Sequence, residues 1–359
     1  MKKLCLILSC ILLLSAVTVM ASCSFLNLPP KTTKNVYLEY ELIEDKNAYR
    51  VTGSNIAYKS LEDGWEMVDL VIPSEYRGRP VTEIGAWAFR NSDILRSVII
   101  PESIEKIVAG AFFDCNHLER VTIPKSVKYI LGAPFESCNS LCEMLVDPQN
   151  AYYCSVDGNL YSKDQSEFVF YAPGKTQAKF EIPQGVSSVH RDAFSHCEFL
   201  KSIAIPETVR ELPYDAIMYC KGMQGITVDE NNPIYCSING NLYSKDGKTF
   251  LRLCAFAENT TLIIPEGVTS IEDYAAYYGD SLTAVTIPET VIYIAPNAFT
   301  QCPNLTEAVF EDPSGWRVIP QRGKFLSAKE LSHAQLSSAA TAAEYLAKKY
   351  DAWEWQKEN

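Results

Sequence analysis

Apolar residues recur through the middle of this chain at a fixed 23-residue spacing, and this constrains the fold more than any other property of the sequence. In Ile100 to Thr122, IPESIEKIVAGAFFDCNHLERVT, they fall at Ile104, Ile107, Ala111, Phe112, Cys115, Leu118 and Val121, offsets +4, +7, +11, +12, +15, +18 and +21. The same slots refill from Ile123, Ile182 and Ile205, and two later units follow from Ile264 and Ile287. A period of this length predicts a solenoid, in which each unit buries its apolar face only against its neighbours. The unit starts Ile100, Ile123, Val146, Ile182, Ile205, Val228, Ile264, Ile287 and Phe310 are separated by 23, 23, 36, 23, 23, 36, 23 and 23 residues, a superperiod of 82.

Each ordinary unit reads as two short strands: an alternating run such as Leu118 to Ile123, then Ile-Pro followed by apolar residues at +4 and +7. Proline has no N–H, so it belongs at the corner where the coil leaves one sheet for the next. Ala-Phe at +11 and +12 falls in a tight turn on the far side of the coil. The two 36-residue units carry Tyr153-Cys154-Ser155-Val156-Asp157-Gly158-Asn159-Leu160-Tyr161 and its copy Tyr235 to Tyr243. Asp157-Gly158 and Asn239-Gly240 are type I′ hairpin signals, so each long unit inserts a β-meander. The result is parallel β structure with little helix.

Leu95 to Cys115, Leu118 to Cys138, Leu200 to Cys220 and Leu282 to Cys302 follow L-x-x-V-x-I-P-x-x-V-x-x-I-x-x-x-A-F-x-x-C. That pattern resembles the BspA-type leucine-rich repeats of bacterial surface proteins. Departures are Pro134 for Ala, Ile217 for Phe, and Ala276 and Gly279 where Phe and Cys are expected. The resemblance implies a mainly β, right-handed leucine-rich repeat solenoid and a role in adhesion or protein binding. The expected layout is a signal segment at 1–22, a tether at 23–35, an N-terminal β-hairpin cap at 36–71, the solenoid at 72–313 and a short helical C-terminal cap at 314–359.

Lys2, Lys3, the apolar run Leu4 to Val19 and the small residues before Cys23 form a secretory signal too short for a stable span. Met20-Ala21-Ser22-Cys23 resembles the lipobox of bacterial lipoproteins, which implies cleavage before Cys23, a lipid on it and a place at the outer cell surface. The alternative is an ordinary signal peptide with a fortuitous cysteine. Loss of the two lysines changes the formal charge from −12 to −14, which excludes nucleic acid as an expected partner. Of the twelve cysteines, nine remain beyond Cys23. Five of these (Cys115, Cys138, Cys197, Cys220, Cys302) share slot +15, where in-register side chains point the same way, so they read as reduced, buried small hydrophobes.

The sequence holds no catalytic constellation and no cofactor motif. Ser103-x-x-Lys106 falls on outward slots, Gly174-Lys175-Thr176 and Gly247-Lys248-Thr249 lack the glycine a phosphate loop needs, and alternation separates His196 (outside) from Cys197 (inside), so no metal is expected. The expected function is a non-enzymatic module binding an extracellular protein or glycan. The alternatives are a structural spacer, or an envelope enzyme with its site around Trp316, Trp353 and Trp355. Two surfaces are candidates. One is a ribbon of outward residues at offset −1, including Glu181, Ala204 and Thr227, running some 45 Å at the 4.8 Å strand spacing. The other is the aromatic meander pair, with Tyr161 and Tyr243 as anchors projecting about 15 Å apart; packing of those rings onto the solenoid is the competing reading.

Overall fold

At each coil corner the chain has to turn, and the Ile-Pro pair does it. The N–H of the +4 residue donates to the prolyl carbonyl in Ile104–Pro101, Val127–Pro124, Val186–Pro183 and Val209–Pro206, at 3.0–3.4 Å. Proline ends one strand without wasting a ladder donor and supplies the carbonyl that closes the turn. This geometry comes from a computed structural model, which describes residues 36–358 except 221, 255–259 and 321–326. Cys23 and the expected signal and tether therefore lie outside the described residues, as does Phe256, one of the aromatic residues of the second long unit.

Residues 36–359 form one unit, a parallel solenoid whose first strands pair in the register the repeat predicts. Val71, Ile99, Thr122 and Leu145 are rungs of one four-stranded sheet. Glu181, Ala204 and Thr227 are rungs of a second sheet, of three strands, and Ile263, Thr286 and Val309 of a third. The expected continuous ribbon is thus three separate ladders. The breaks come at the long units, where the hairpin tip takes the place of the next strand: Met144 N–H donates to the Gly158 carbonyl at 3.0 Å, and Ile226 N–H to the Gly240 carbonyl at 2.9 Å.

The meanders also differ from expectation. They do not project. The strand Asn159–Ser162 lies between Tyr153–Val156 and Glu167–Phe170, and the last of these pairs in parallel with Ser188–Val189, so the meander is built into the second sheet of the coil. Leu160 packs in one core cluster with residues from Val51 to Ala172. Its neighbour Tyr161 packs in another, with residues from Ile182 to Ile226. Leu242 and Tyr243 divide the same way between the second cluster and a third. Successive strand residues face opposite ways, so each meander's middle strand is a septum with a core on both sides. The solenoid is three blocks separated by two septa.

Within a block, Ala at +11 is small enough for close stacking, and Phe at +12 stacks ring on ring: Phe89, Phe112 and Phe135 have centroids 5.0 and 5.4 Å apart. The slot +15 thiols of Cys115, Cys138, Cys220 and Cys302 each donate to a carbonyl 26 residues earlier, at 2.8–3.0 Å. Cysteine suits the slot because it is small, apolar and still a weak donor. Burial pushes the thiols of Cys220, Cys254 and Cys302 up to about 12, so they stay protonated at neutral pH. Asn150 and Asn232, fully buried and equivalent in the two long units, bond the carbonyls of Pro124 and Val127, and of Pro206 and Val209.

The N-terminal cap is the hairpin Leu38–Ile43 and Ala48–Ser54, fixed to the first coil by Lys46 and Arg50 on the buried carboxylate of Glu83, each at 2.8 Å. That coil also carries a second hairpin, in which Glu75 and Tyr76 pair with Pro80 and Arg79 around the Arg77-Gly78 turn. Tyr76 at its tip stacks on Tyr40 at 4.0 Å, which folds it against the cap. The C-terminal cap does contain the expected helix, Ala339–Glu344 continuing through Tyr345–Lys349, with the Ser338 hydroxyl accepting from Thr341 N–H at its start. It adds strands not foreseen: Trp353–Lys357 pairs with both Tyr293–Ile294 and Trp316–Pro320.

Candidate functional site

The middle block presents an open surface on its three-stranded sheet. Glu181, Ala204 and Thr227 stand in one row across it. With Ile182, Pro183, Ile205 and Pro206 at the coil corners and Asp229 beyond, they line an open groove of about 450 Å³. Glu181 and Thr227 are exposed and Ala204 is half-buried, because the row occupies the outward slot while Ile203 and Ile226, one residue before Ala204 and Thr227, point into the core. Glu181 carries an ion pair with Lys179, two residues away on the same face, at 2.8 Å; that hydrogen bond and charge hold its carboxyl below the usual range. Apolar and polar groups share the groove's lining with the carboxylates of Glu181 and Asp229.

Above and below this block exposed apolar rungs alternate with half-buried threonines: Ile99 is 49% exposed, Ile263 65% and Val309 47%, while Thr122 and Thr286 are half-buried. Glu181, Ala204 and Thr227 are therefore together, as the repeat predicts, in the middle third of an interrupted ribbon. Tyr161 and Tyr243 are not with them. They are 2% and 1% exposed, each packed against a phenylalanine of its own meander, Phe168 at 5.1 Å and Phe250 at 5.2 Å. Burial pushes the hydroxyl of Tyr161 up to about 12 and that of Tyr243 higher. The reading of these two rings as surface anchors is corrected: they fill a septum between cores, where a partner cannot reach.

The tryptophans of the C-terminal segment also turn inward. Trp316 and Trp355 are 1% exposed, and both rings pack on Phe310, the buried residue that ends the last strand of the third ladder, at 5.3 and 6.0 Å. They close the open end of the stack, as a terminal repeat requires. His196 lies outside beside Glu136 at 3.1 Å while Cys197 is fully buried, so the two do not converge. Among the described residues no group of three or more His, Cys, Asp or Glu side chains is placed to hold a metal ion.

A stacked parallel β coil with capped ends and ladders of outward rungs defines a leucine-rich repeat solenoid. The family model for the BspA type leucine rich repeat region matches six copies over residues 55–156, 163–246 and 247–347, and the chain belongs to that family. Among solved structures it is similar to a leucine rich cell surface protein from Faecalibacterium prausnitzii, at 19% identity over 79% of this chain and 96% of the other, with a TM-score of 0.38. It is also similar to a leucine-rich repeat protein from Eubacterium ventriosum, at 17% identity over 78% and 70% with a TM-score of 0.41. The pneumococcal vaccine antigen PcpA is similar at 17% identity over 77% and 68%, with a TM-score of 0.40. No curated protein matches the chain.

Proposed function

We propose that this chain is a non-enzymatic interaction module, held at the bacterial cell surface by a lipid on Cys23, that binds an extracellular protein through the outward rungs of its coils. The observation carrying this reading is the open groove over Glu181, Ala204 and Thr227, where apolar and polar groups share the lining with the carboxylates of Glu181 and Asp229. The two carboxylates favour a partner segment that combines apolar with basic side chains. The spacer alternative predicts that these rungs can be changed freely. Introducing Ala204→Lys together with Thr227→Lys places two cations in the groove while leaving every inward slot intact. Adhesion of cells bearing the chain to immobilised surface-protein fractions should fall at least tenfold, about 1.4 kcal/mol; unchanged adhesion would favour the spacer.

The anchor is tested separately. A diacylglyceryl group supplies the two chains that stable membrane binding needs, so Cys23→Ala should move the chain from the membrane fraction to the medium or stall its processing. Full retention of the alanine variant in membranes would rule the lipid out.

A further inference from the structure

The turn side of the coils, opposite in the chain's path to the rungs, carries a crest of aromatic rings. Trp87, Phe113, His196, Tyr219 and Tyr278 touch in succession, with centroids 5.5, 6.4, 4.5 and 4.7 Å apart. The crest crosses both septa, because the turns on either side of a long unit meet directly: Tyr219 contacts Tyr278, 59 residues on, and Glu136 contacts Ser195 and His196. Trp87 is 49% exposed and the other four rings are partly exposed. Tyr274 and Tyr277 broaden the crest beside Tyr278.

Coil stacking does not require rings here. Trp87, His196, Tyr219, Tyr274 and Tyr278 all have left-handed backbone, φ 57–62, a conformation that disfavours bulky side chains. At the corresponding turn positions of other coils the chain has Asn91, Asp114, Ser137, Asn297 and Gln301, in the same conformation and of kinds better suited to it. Large rings at strained, partly exposed positions point to a use beyond folding. Beside the N-terminal part of the crest runs a ladder of planar polar groups: Asn91 on Asp114 at 2.6 Å, Asn116 on Asp93 and Asp114 at 3.2 and 2.9 Å, and Asn139 on Asn116 at 3.1 Å.

We infer that this crest binds a neutral carbohydrate chain. A sugar ring offers apolar C–H faces, which stack on aromatic rings, and vicinal hydroxyls, which pair with planar amides and carboxylates. The crest and its ladder supply both, repeated along the stack as an extended glycan repeats. Carboxylates at Glu136, Asp93 and Asp114 and the acidic chain as a whole disfavour an anionic polymer. The surface is distinct from the groove over Glu181, so the two are tested apart.

Affinity electrophoresis of the full-length chain in gels containing mannan, laminarin or galactomannan, with heparin as the anionic probe, tests this. At least one neutral polysaccharide should retard the chain, and Tyr219→Asn with Tyr278→Asn should weaken that retardation tenfold or more. Asparagine is what Asn91 already provides at this turn, so the melting temperature of the double variant should hold or rise. Ala204→Lys with Thr227→Lys should leave retardation unchanged. Retardation by heparin alone, none by any neutral polysaccharide, undiminished retardation of the asparagine variant, or a melting temperature several degrees lower in it would each overturn the inference.

Discussion

Replacing Phe112 by alanine should lower the stability of the folded chain by about 3–5 kcal/mol, the range for removing a large ring from a core that cannot collapse around the gap. Phe112 is fully buried, between Phe89 at 5.0 Å and Phe135 at 5.4 Å, in nearly parallel stacks. Its own N–H is tied to the Pro134 carbonyl at 2.8 Å, and that carbonyl belongs to the next coil. The backbone is thus fixed on a neighbour, and relaxation into the cavity would have to shift two coils at once. Phe113, one residue on, faces the crest and is only partly buried. Phe113→Ala should therefore change stability by less than about 1 kcal/mol. Urea denaturation of the two variants measures the contrast, and similar midpoints would mean that the +12 slot is not the core position the repeat assigns to it.

That slot was legible in the sequence because every coil solves the same packing problem with the same residue types. The +4, +7, +11, +12 and +15 positions are buried where the repeat puts them, with Leu212 at +7 half-buried, and the outward rungs pair residue for residue from Val71 to Leu145, from Glu181 to Thr227 and from Ile263 to Val309. The meanders were misplaced for a physical reason. A hairpin with one face on the solenoid and one in water should alternate apolar with polar residues, and Tyr153-Cys154-Ser155-Val156 permits that reading. The strand after the turn does not: Leu160-Tyr161 and Leu242-Tyr243 are adjacent large apolar pairs, the mark of a strand covered on both faces. Part of the aromatic crest was readable, since His196, Tyr219 and Tyr278 share offset +14 of their coils, but Trp87 and Phe113 come from other offsets, and the contacts Phe113–His196 and Tyr219–Tyr278 form only because the long units let distant turns close up. Asn150 and Asn232 were readable in principle, as identical residues at matched positions of the two long units, but only their burial shows which carbonyls they serve.

The septa themselves give the second large expected effect, and it falls on a glycine. Gly158 sits at φ +73 in the Asp157-Gly158 turn, and a Cβ there would lie 2.6 Å from the Cys142 carbonyl oxygen and 3.2 Å from the Glu143 Cα. Both contacts are backbone atoms of the coil beneath, already engaged by the bond from Met144 N–H to the Gly158 carbonyl. Gly158→Ala therefore adds a clash to the left-handed penalty. Gly78 separates the two terms, because it occupies the same place in the Arg77-Gly78 turn at φ +72 with nothing within 4 Å of its would-be Cβ. Gly78→Ala should cost about 1–2 kcal/mol, the conformational penalty alone. Gly158→Ala should cost that amount plus a further 1–3 kcal/mol for overpacking against an immovable neighbour. The excess is the measure of how tightly the hairpin tip is seated on the N-terminal block. If the two variants melt together, the tip is free of the coil below, and the partition of the solenoid into three cores would have to rest on Leu160 and Tyr161 without the hydrogen bond that ends the first ladder.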